Sequence, residues 1–599
     1  MAAASGAWYG GWEIVMVRVL KVLLMIAALA ATPMAADGPM VAVERGMAPP
    51  PWALAERELL AAASQGAELF YGKYVDERGY LRCVERWGGN DGADDAMENF
   101  ANWTLLYALG APEKVLELYQ KAWEGHLRQY TAARIPGIEM AENGMYHREF
   151  VTAFDWEHTG EALAAFHLYG LCRPNDAEYR NRVRRFAGFY SGEDKSVDNY
   201  DPARKIIKSL HNGSRGAKLT PATEQDWGGL PVEGRPDRLS RYRTAQNIRG
   251  DHPLNLAATA LAMNAYMLTG EAKYRDWLLD YAGAWRDRVL QSGGNIPTNI
   301  ALDGVIGGEW GGKWHGGVFG WNFWPEESGR NYFIRGPRIA FGCALMLSRD
   351  RSFAEPLRRQ IANLYAARKE EKGAILLPNK HGDQGWYGYT RNQHFDVQRD
   401  LYLWSMDPAD ATWLKDDPWM AYLAGRNSNY PLEAFQREFA TVRRKVDGMR
   451  RDALPADQRA SDHSQRFNPA QTEALVNLTL GGNHPGTSGN ILHSRVRYFD
   501  PERRRAGLPQ DVAALVERIT AEGITLTLVN VNQIEPRTVV VRAGAYGEHR
   551  FRAVRAAGRA VEVNGPDFQV RLAPGAGETF EVGIDLFARQ PALAFPWER

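Results

Sequence analysis

Apolar residues recur at helical spacing through most of the chain. Over residues 53–75, Leu54, Leu59, Leu60, Ala63, Leu69 and Phe70 fall at helical spacings. The same signal predicts helices over 98–109 and 112–130, divided at Gly110, and over 157–171 and 177–190. It continues over 253–268 and 272–290, 335–348 and 352–369, 396–404 and 408–423, and 431–452 and 469–480. That is about a dozen helices, mostly in antiparallel pairs joined by short Gly, Pro or Asn turns. A helical hairpin cannot bury its apolar face alone, so such pairs stack into a solenoid or a closed ring. Several connections between pairs are long and rich in Gly, Trp, Asp and His, notably 191–252 and 291–333. Long loops gathered on one side of a rigid scaffold build a site, and this favours a closed α/α toroid with a loop-walled cleft.

Near Ser494 the period changes from helical to alternating. Segments 523–530, 537–542, 550–554, 560–563, 568–572 and 579–583 read as strands, separated by Gly, Asn and Pro. They predict a small antiparallel β-sandwich over 494–599. At the other end, Arg18 and Lys21, the apolar run 22–31 and the small residues Met34-Ala35-Ala36 read as an export signal over 1–36, with Met16 as the expected start. The apolar run is about half the ~20 residues that a membrane span needs. Residues 37–53 contain Pro49-Pro50-Pro51 and are expected to be a tether, leaving 54–493 for the helical domain.

Composition narrows the classes. The 72 basic and 72 acidic residues balance, so no electrostatic footprint for nucleic acid is present. Cys83, Cys172 and Cys343 are too few for a disulfide framework. No HExxH, Walker A, GxGxxG after a strand, or GxSxG elbow occurs, and the expectation is no metal and no cofactor.

A mainly helical (α/α)6-type arrangement with an appended β-domain resembles the six-hairpin, α/α-toroid glycosidases and polysaccharide lyases. The resemblance spans most of 54–480, is architectural, and implies carbohydrate chemistry without assigning residues.

Four stretches carry the candidate chemistry. The first, 86–99, sets Trp87, Asn90, Asp91 and Glu98 among glycines, a stacking face beside hydroxyl acceptors; Asp94 and Asp95 suit a helix N-terminus equally well. The second, 147–161, places Asp155 ahead of a helix beside Trp156 and His158. A carboxyl against an indole suits a general acid, and an N-cap is the structural alternative. The third, 247–255, repeats the layout with Asp251 and His252 before Pro253. The fourth, 307–327, crowds Trp310, Trp314, His315, Trp321 and Trp324 among glycines, a wall for sugar rings or a plug for the ring centre. His211 and Arg215 lie in a further loop.

The resulting expectation is a secreted or periplasmic glycoside hydrolase acting on an oligo- or polysaccharide. Asp155 and Asp251 form its carboxyl pair, assisted by His252. A polysaccharide lyase of the same fold would draw on His211, Asn212, Arg215, His252 and Tyr200. A glycan-binding protein without catalysis is the third reading. Nucleic acid and membrane are not expected partners beyond the export signal.

Overall fold

A computed structural model of the chain describes residues 38–84, 92–134, 142–152, 155–219, 249–316 and 330–598. Among the described residues, helices alternate between an inner and an outer layer. The elements are α1 (Pro51–Tyr74), α2 (Ala93–Glu98), α3 (Trp103–Leu109), α4 (Glu113–Ala132), α5 (Trp156–Tyr169), α6 (Ala177–Gly188), α7 (Thr259–Thr269) and α8 (Ala272–Gln291). They continue with α9 (Arg330–Ser348), α10 (Glu355–Ala366), α11 (Phe395–Ser405), α12 (Pro418–Leu423) and α13 (Tyr430–Arg451). Helices α3, α5 and α7 are buried almost all round, whereas α4, α6, α10 and α13 bury one stripe. A helix apolar on every side belongs inside, and an amphipathic one belongs outside. The outer α1 packs on both α4 and α13, which closes the ring. The inner path runs from α3 to α5, then to the 3-10 turn Pro253–Ala258 with α7, and on to α9. No described helix is long and apolar enough to cross a membrane.

Helices α9 and 253–258 cross closely because Gly336 sits at the contact. A Cβ there would lie 2.0 Å from the Pro253 carbonyl oxygen. Local chemistry also trims several expected helices. Asn102 adopts φ 69, which divides the expected 98–109 helix into α2 and α3. The span 408–423 splits into a 3-10 turn and α12, because Asp417 caps a new start by accepting from the Met420 N–H at 2.9 Å. Most of 469–480 is not α-helical and ends in a π-helical turn, Leu475–Thr479.

The C-terminal module is a sandwich of two sheets. One carries β1 (Met40–Val43), β2 (Val496–Asp500), β3 (Arg505–Ala506), β6 (Arg537–Ala543) and β9 (Asp567–Leu572), in the order β1-β9-β6-β2-β3. The other carries β4 (Val512–Thr520), β5 (Gly523–Asn530), β7 (Arg550–Ala556), β8 (Arg559–Gly565) and β10 (Gly577–Asp585), in the order β4-β5-β10-β7-β8. The expected tether over 37–53 needs correction. Residues 40–43 run parallel to β9, pairing Met40 with Gln569 and Val43 with Leu572, and α1 begins at Pro51. Val41 and Val43 alternate as an edge strand should, and Pro51 is placed where a helix tolerates it.

Toroid and sandwich meet along β4. Glu56 of α1 is buried there and accepts from the Ala514 N–H at 3.0 Å and the Thr479 hydroxyl at 2.8 Å. The export signal expected over 1–36 lies outside the described residues.

Candidate active site

The start of α5 organises the strongest cluster of ionisable groups. Asp155 is buried and extended, and its Oδ1 accepts from the backbone N–H of Glu157 at 2.8 Å and of His158 at 3.2 Å. This N-cap fixes the first turn. The His158 Nδ1 then lies 2.9 Å from Asp155 Oδ2. Glu157 and Glu161 follow at helical spacing and share Arg335 of α9, at 2.9 and 3.6 Å. Across from them, α2 packs on α5 and brings Asp94, Asp95 and Glu98. Asn99 ties α2 to the Ser461 carbonyl at 2.7 Å, and the Gln465 side-chain amide donates to Glu98.

Burial sets the proton affinities here. It pushes the Glu98 carboxyl up to about 8, helped by the negative charges of Glu161 and Asp95. It lifts Glu157 to about 8 as well, with Asp155 adding to the effect and Arg335 opposing it. Asp94 and Glu161 are raised by the same burial, against the pull of His158. At Asp155 burial would also raise the pKa, but the charge and hydrogen bonds of His158 outweigh it and hold the carboxyl low. Burial would depress His158, yet Asp155, Asp94 and Glu161 raise it well above the usual range. One ligating atom each of Asp94, His158 and Glu161 falls within 4.8 Å of the others, a grouping at odds with the expectation of no metal.

Beside this cluster lies a cavity of about 370 Å³ lined by Arg335, Arg338, Asn392, His394, Asp396 and Asn490, among others. Arg338 is ion-paired to Asp396 at 3.0 Å and to buried Asp400.

Successive loops are stitched together at the same rim. Isolated bridges join Asp155 to His211, Ser209 to Arg249, and Asp251 to Ile300. Gly250 permits the last close approach with φ +85, where a Cβ would stand 2.3 Å from the Ile300 carbonyl oxygen. The fold therefore brings Asp155, His158, His211 and His252 into one neighbourhood, as their mutual electrostatic influence records.

Other expected positions are corrected. Asp251 is fully buried, and its oxygens accept from the His252 N–H, Asn255 Nδ2, Tyr281 hydroxyl and Trp285 Nε1, each at 2.9 Å. Tyr281 and Trp285 belong to outer helix α8, so this carboxylate faces the scaffold and not a cleft. His252 is buried without exposure, which drives its pKa down to about 3 and leaves it no surface for a substrate. Trp156 packs between Phe150 and Tyr190, with ring centroids 6.2 and 5.8 Å away, a core position closed to sugar stacking. His211 is buried, and Arg215 is exposed with its guanidinium 3.4 Å from the Asn143 carbonyl oxygen. Trp310, Trp314 and His315 are half-buried. Trp314 and His315 pack on His381, at 4.6 and 4.8 Å, in the hairpin formed by Ala374–Gly382 and Gly385–Thr390. Trp87, Asn90, Asp91, Trp321 and Trp324 lie outside the described residues.

Glu157, Glu161 and Arg335 were not among the sequence candidates, and Asp94 was read equally as part of a helix N-terminus. Their signal is spacing: Asp94 with Glu98 and Glu157 with Glu161 are each i,i+4 pairs, placed on one helix face.

A family model described as "Domain of unknown function (DUF8034)" matches residues 40–400 and 410–476. No curated protein matches the chain. Among solved structures, the GH76A alpha-1,6-mannanase from Salegentibacter sp. HEL1_6 is similar over 69% of this chain and 98% of its own, at 12% identity and a TM-score of 0.32. Cellobiose 2-epimerase from Bacillus thermoamylovorans B4167 is similar over 69% and 98%, at 10% identity and a TM-score of 0.34. An inactive variant of the mannanase in complex with alpha-1,6-mannotriose is similar over 70% and 99%, at 12% identity and a TM-score of 0.30.

Proposed function

We propose that this chain, which belongs to the DUF8034 family, is an exported enzyme that hydrolyses glycosidic bonds of an oligo- or polysaccharide, with Glu98 as proton donor. The observation that carries the reading is the convergence of carboxyls from α2 and α5, joined through Arg335 to a polar cavity. Glycoside hydrolysis needs one carboxyl that keeps its proton for the leaving oxygen and one that has lost it. Burial and the neighbouring acids Glu161 and Asp95 favour the protonated form of Glu98, outweighing the hydrogen bond from the Gln465 amide. Asp155, held low by the charge and hydrogen bonds of His158, is the carboxyl of this cluster that stays ionised. Asp155 keeps the role of organiser, fixing the first turn of α5 and the His158 ring.

The test is incubation of the mature protein with neutral and uronate-containing glycans, following reducing ends and ultraviolet absorbance together. Hydrolysis gives reducing ends alone, and Glu98→Gln lowers the rate by about 10²–10⁴-fold with the fold intact. An absorbing, unsaturated product would replace this reading with β-elimination. Tight glycan binding without product would replace it with a binding protein.

A further inference from the structure

The carboxyl cluster packs four acids around α5 with few basic partners among the described residues. Asp94, Asp155 and Glu157 are at most 5% exposed, and Glu161 joins them; among the described residues His158 and Arg335 are ion-paired to this group. Buried anions in such number need either protons or a cation. Asp94 Oδ1 and Glu157 Oε2 are both buried with no hydrogen-bond partner, and a native interior rarely leaves a carboxylate oxygen in that state.

The geometry offers a cation specific handles. Asp94, His158 and Glu161 each turn one ligating atom to within 4.8 Å of the others. Bonds of about 2.0–2.2 Å would draw such atoms closer together, a change within reach of side-chain rotation. His158 is already held by a carboxylate, with Asp155 Oδ2 2.9 Å from Nδ1. This is how a metal-bound imidazole is oriented and made more basic. The donor set of one imidazole and two carboxylates also selects the ion. Calcium and magnesium take all-oxygen shells, whereas a mixed N/O set of three protein ligands suits a first-row transition ion with positions left for water.

We propose that Asp94, His158 and Glu161 bind a divalent transition-metal ion of the zinc class, with Asp155 as the positioning residue behind His158. The site goes beyond the hydrolytic reading, since the ion binds whether or not a sugar is cleaved.

The full chain, without an affinity tag and stripped with a chelator, is titrated with Zn²⁺ against a chromophoric competitor, and separately with Co²⁺ while visible d–d bands are followed. One equivalent is expected to bind, with Co²⁺ bands of mixed nitrogen and oxygen ligation. Asp155→Asn should weaken Zn²⁺ binding about 10–100-fold. Glu161→Gln, a change at a partly exposed position that spares the core, should weaken it at least as much. Asp251→Asn should leave the stoichiometry at one. Absence of stoichiometric binding overturns the proposal, as does binding that Glu161→Gln and Asp155→Asn both leave unchanged. No sugar enters the measurement, so its failure is distinct from failure of the hydrolase reading.

Discussion

Asp155 and Asp251 look alike in sequence, each an aspartate just ahead of an inner helix, yet their surroundings are opposite. Asp251 accepts its hydrogen bonds from neutral donors, Trp285, Tyr281, Asn255 and the backbone, with the Arg288 charge beyond them. Asp155 is met by a charged imidazole and by further acids beyond it. A carboxylate saturated by fixed neutral donors is a structural bolt. A carboxylate inside a charged cluster belongs to a site whose protonation depends on its neighbours. The local sequence before a helix does not distinguish the two, because the deciding groups come from α8 in one case and from α2 and α9 in the other.

The widest separation should come from substituting each aspartate by asparagine. In Asp251→Asn the new amide sets a donor against another donor, Trp285 Nε1 or the Tyr281 hydroxyl, and should cost about 2–3 kcal/mol of unfolding free energy in urea. Asp155→Asn keeps a capping oxygen and an acceptor for His158, and should cost about 1 kcal/mol or less. Equal costs would erase the distinction.

A smaller effect tests whether burial among neutral donors behaves the same way elsewhere. Glu56 is such a group, its pKa raised to about 7 by burial against the pull of Arg57. The native chain then holds this proton more tightly than the unfolded chain. The contribution to stability is whole below pH about 4.5 and is lost as pH rises through about 7. Glu56→Gln, compared with the parent chain across that window, should gain on the order of 2 kcal/mol by pH 8. A flat difference from pH 4 to 8 would show that Glu56 titrates normally. The smallest effect sets a baseline for a capping aspartate that also accepts one side-chain hydrogen bond, from the Tyr169 hydroxyl at 3.2 Å. Asp176 caps α6 through the Tyr179 N–H at 2.8 Å, well away from the acid cluster, and Asp176→Ala should lower stability by about 1 kcal/mol. A loss as large as that in Asp251→Asn would mean that capping, and not saturation, is what holds Asp251.

The ring was readable from the sequence because each outer helix announces itself by an apolar stripe. Its inner members are apolar all round, and their ends are set by single residues such as Asn102 that carry no periodic signal. Strands 523–530 and 537–543 alternate visibly, whereas β2 and the first half of β4 are buried on both faces and lose the period that marks a strand. At the site, Asp155 and His158 stood out through their unusual neighbours in sequence. Glu157 and Glu161 did not, because their importance comes from α2 meeting α5, a contact between segments some sixty residues apart in the chain.

The parallel pairing of β1 with β9 has a kinetic consequence. Hairpins such as β4–β5 and β7–β8 join neighbouring segments and can form early, but the strand that completes their partner sheet comes from beyond the whole ring. Closing so long a loop is entropically only slightly worse than closing a shorter one, but it is slow. Until β1 arrives, β9 presents an open edge. A second chain at high concentration can donate its own β1 to that edge, so refolding should yield strand-exchanged dimers whose fraction grows with protein concentration.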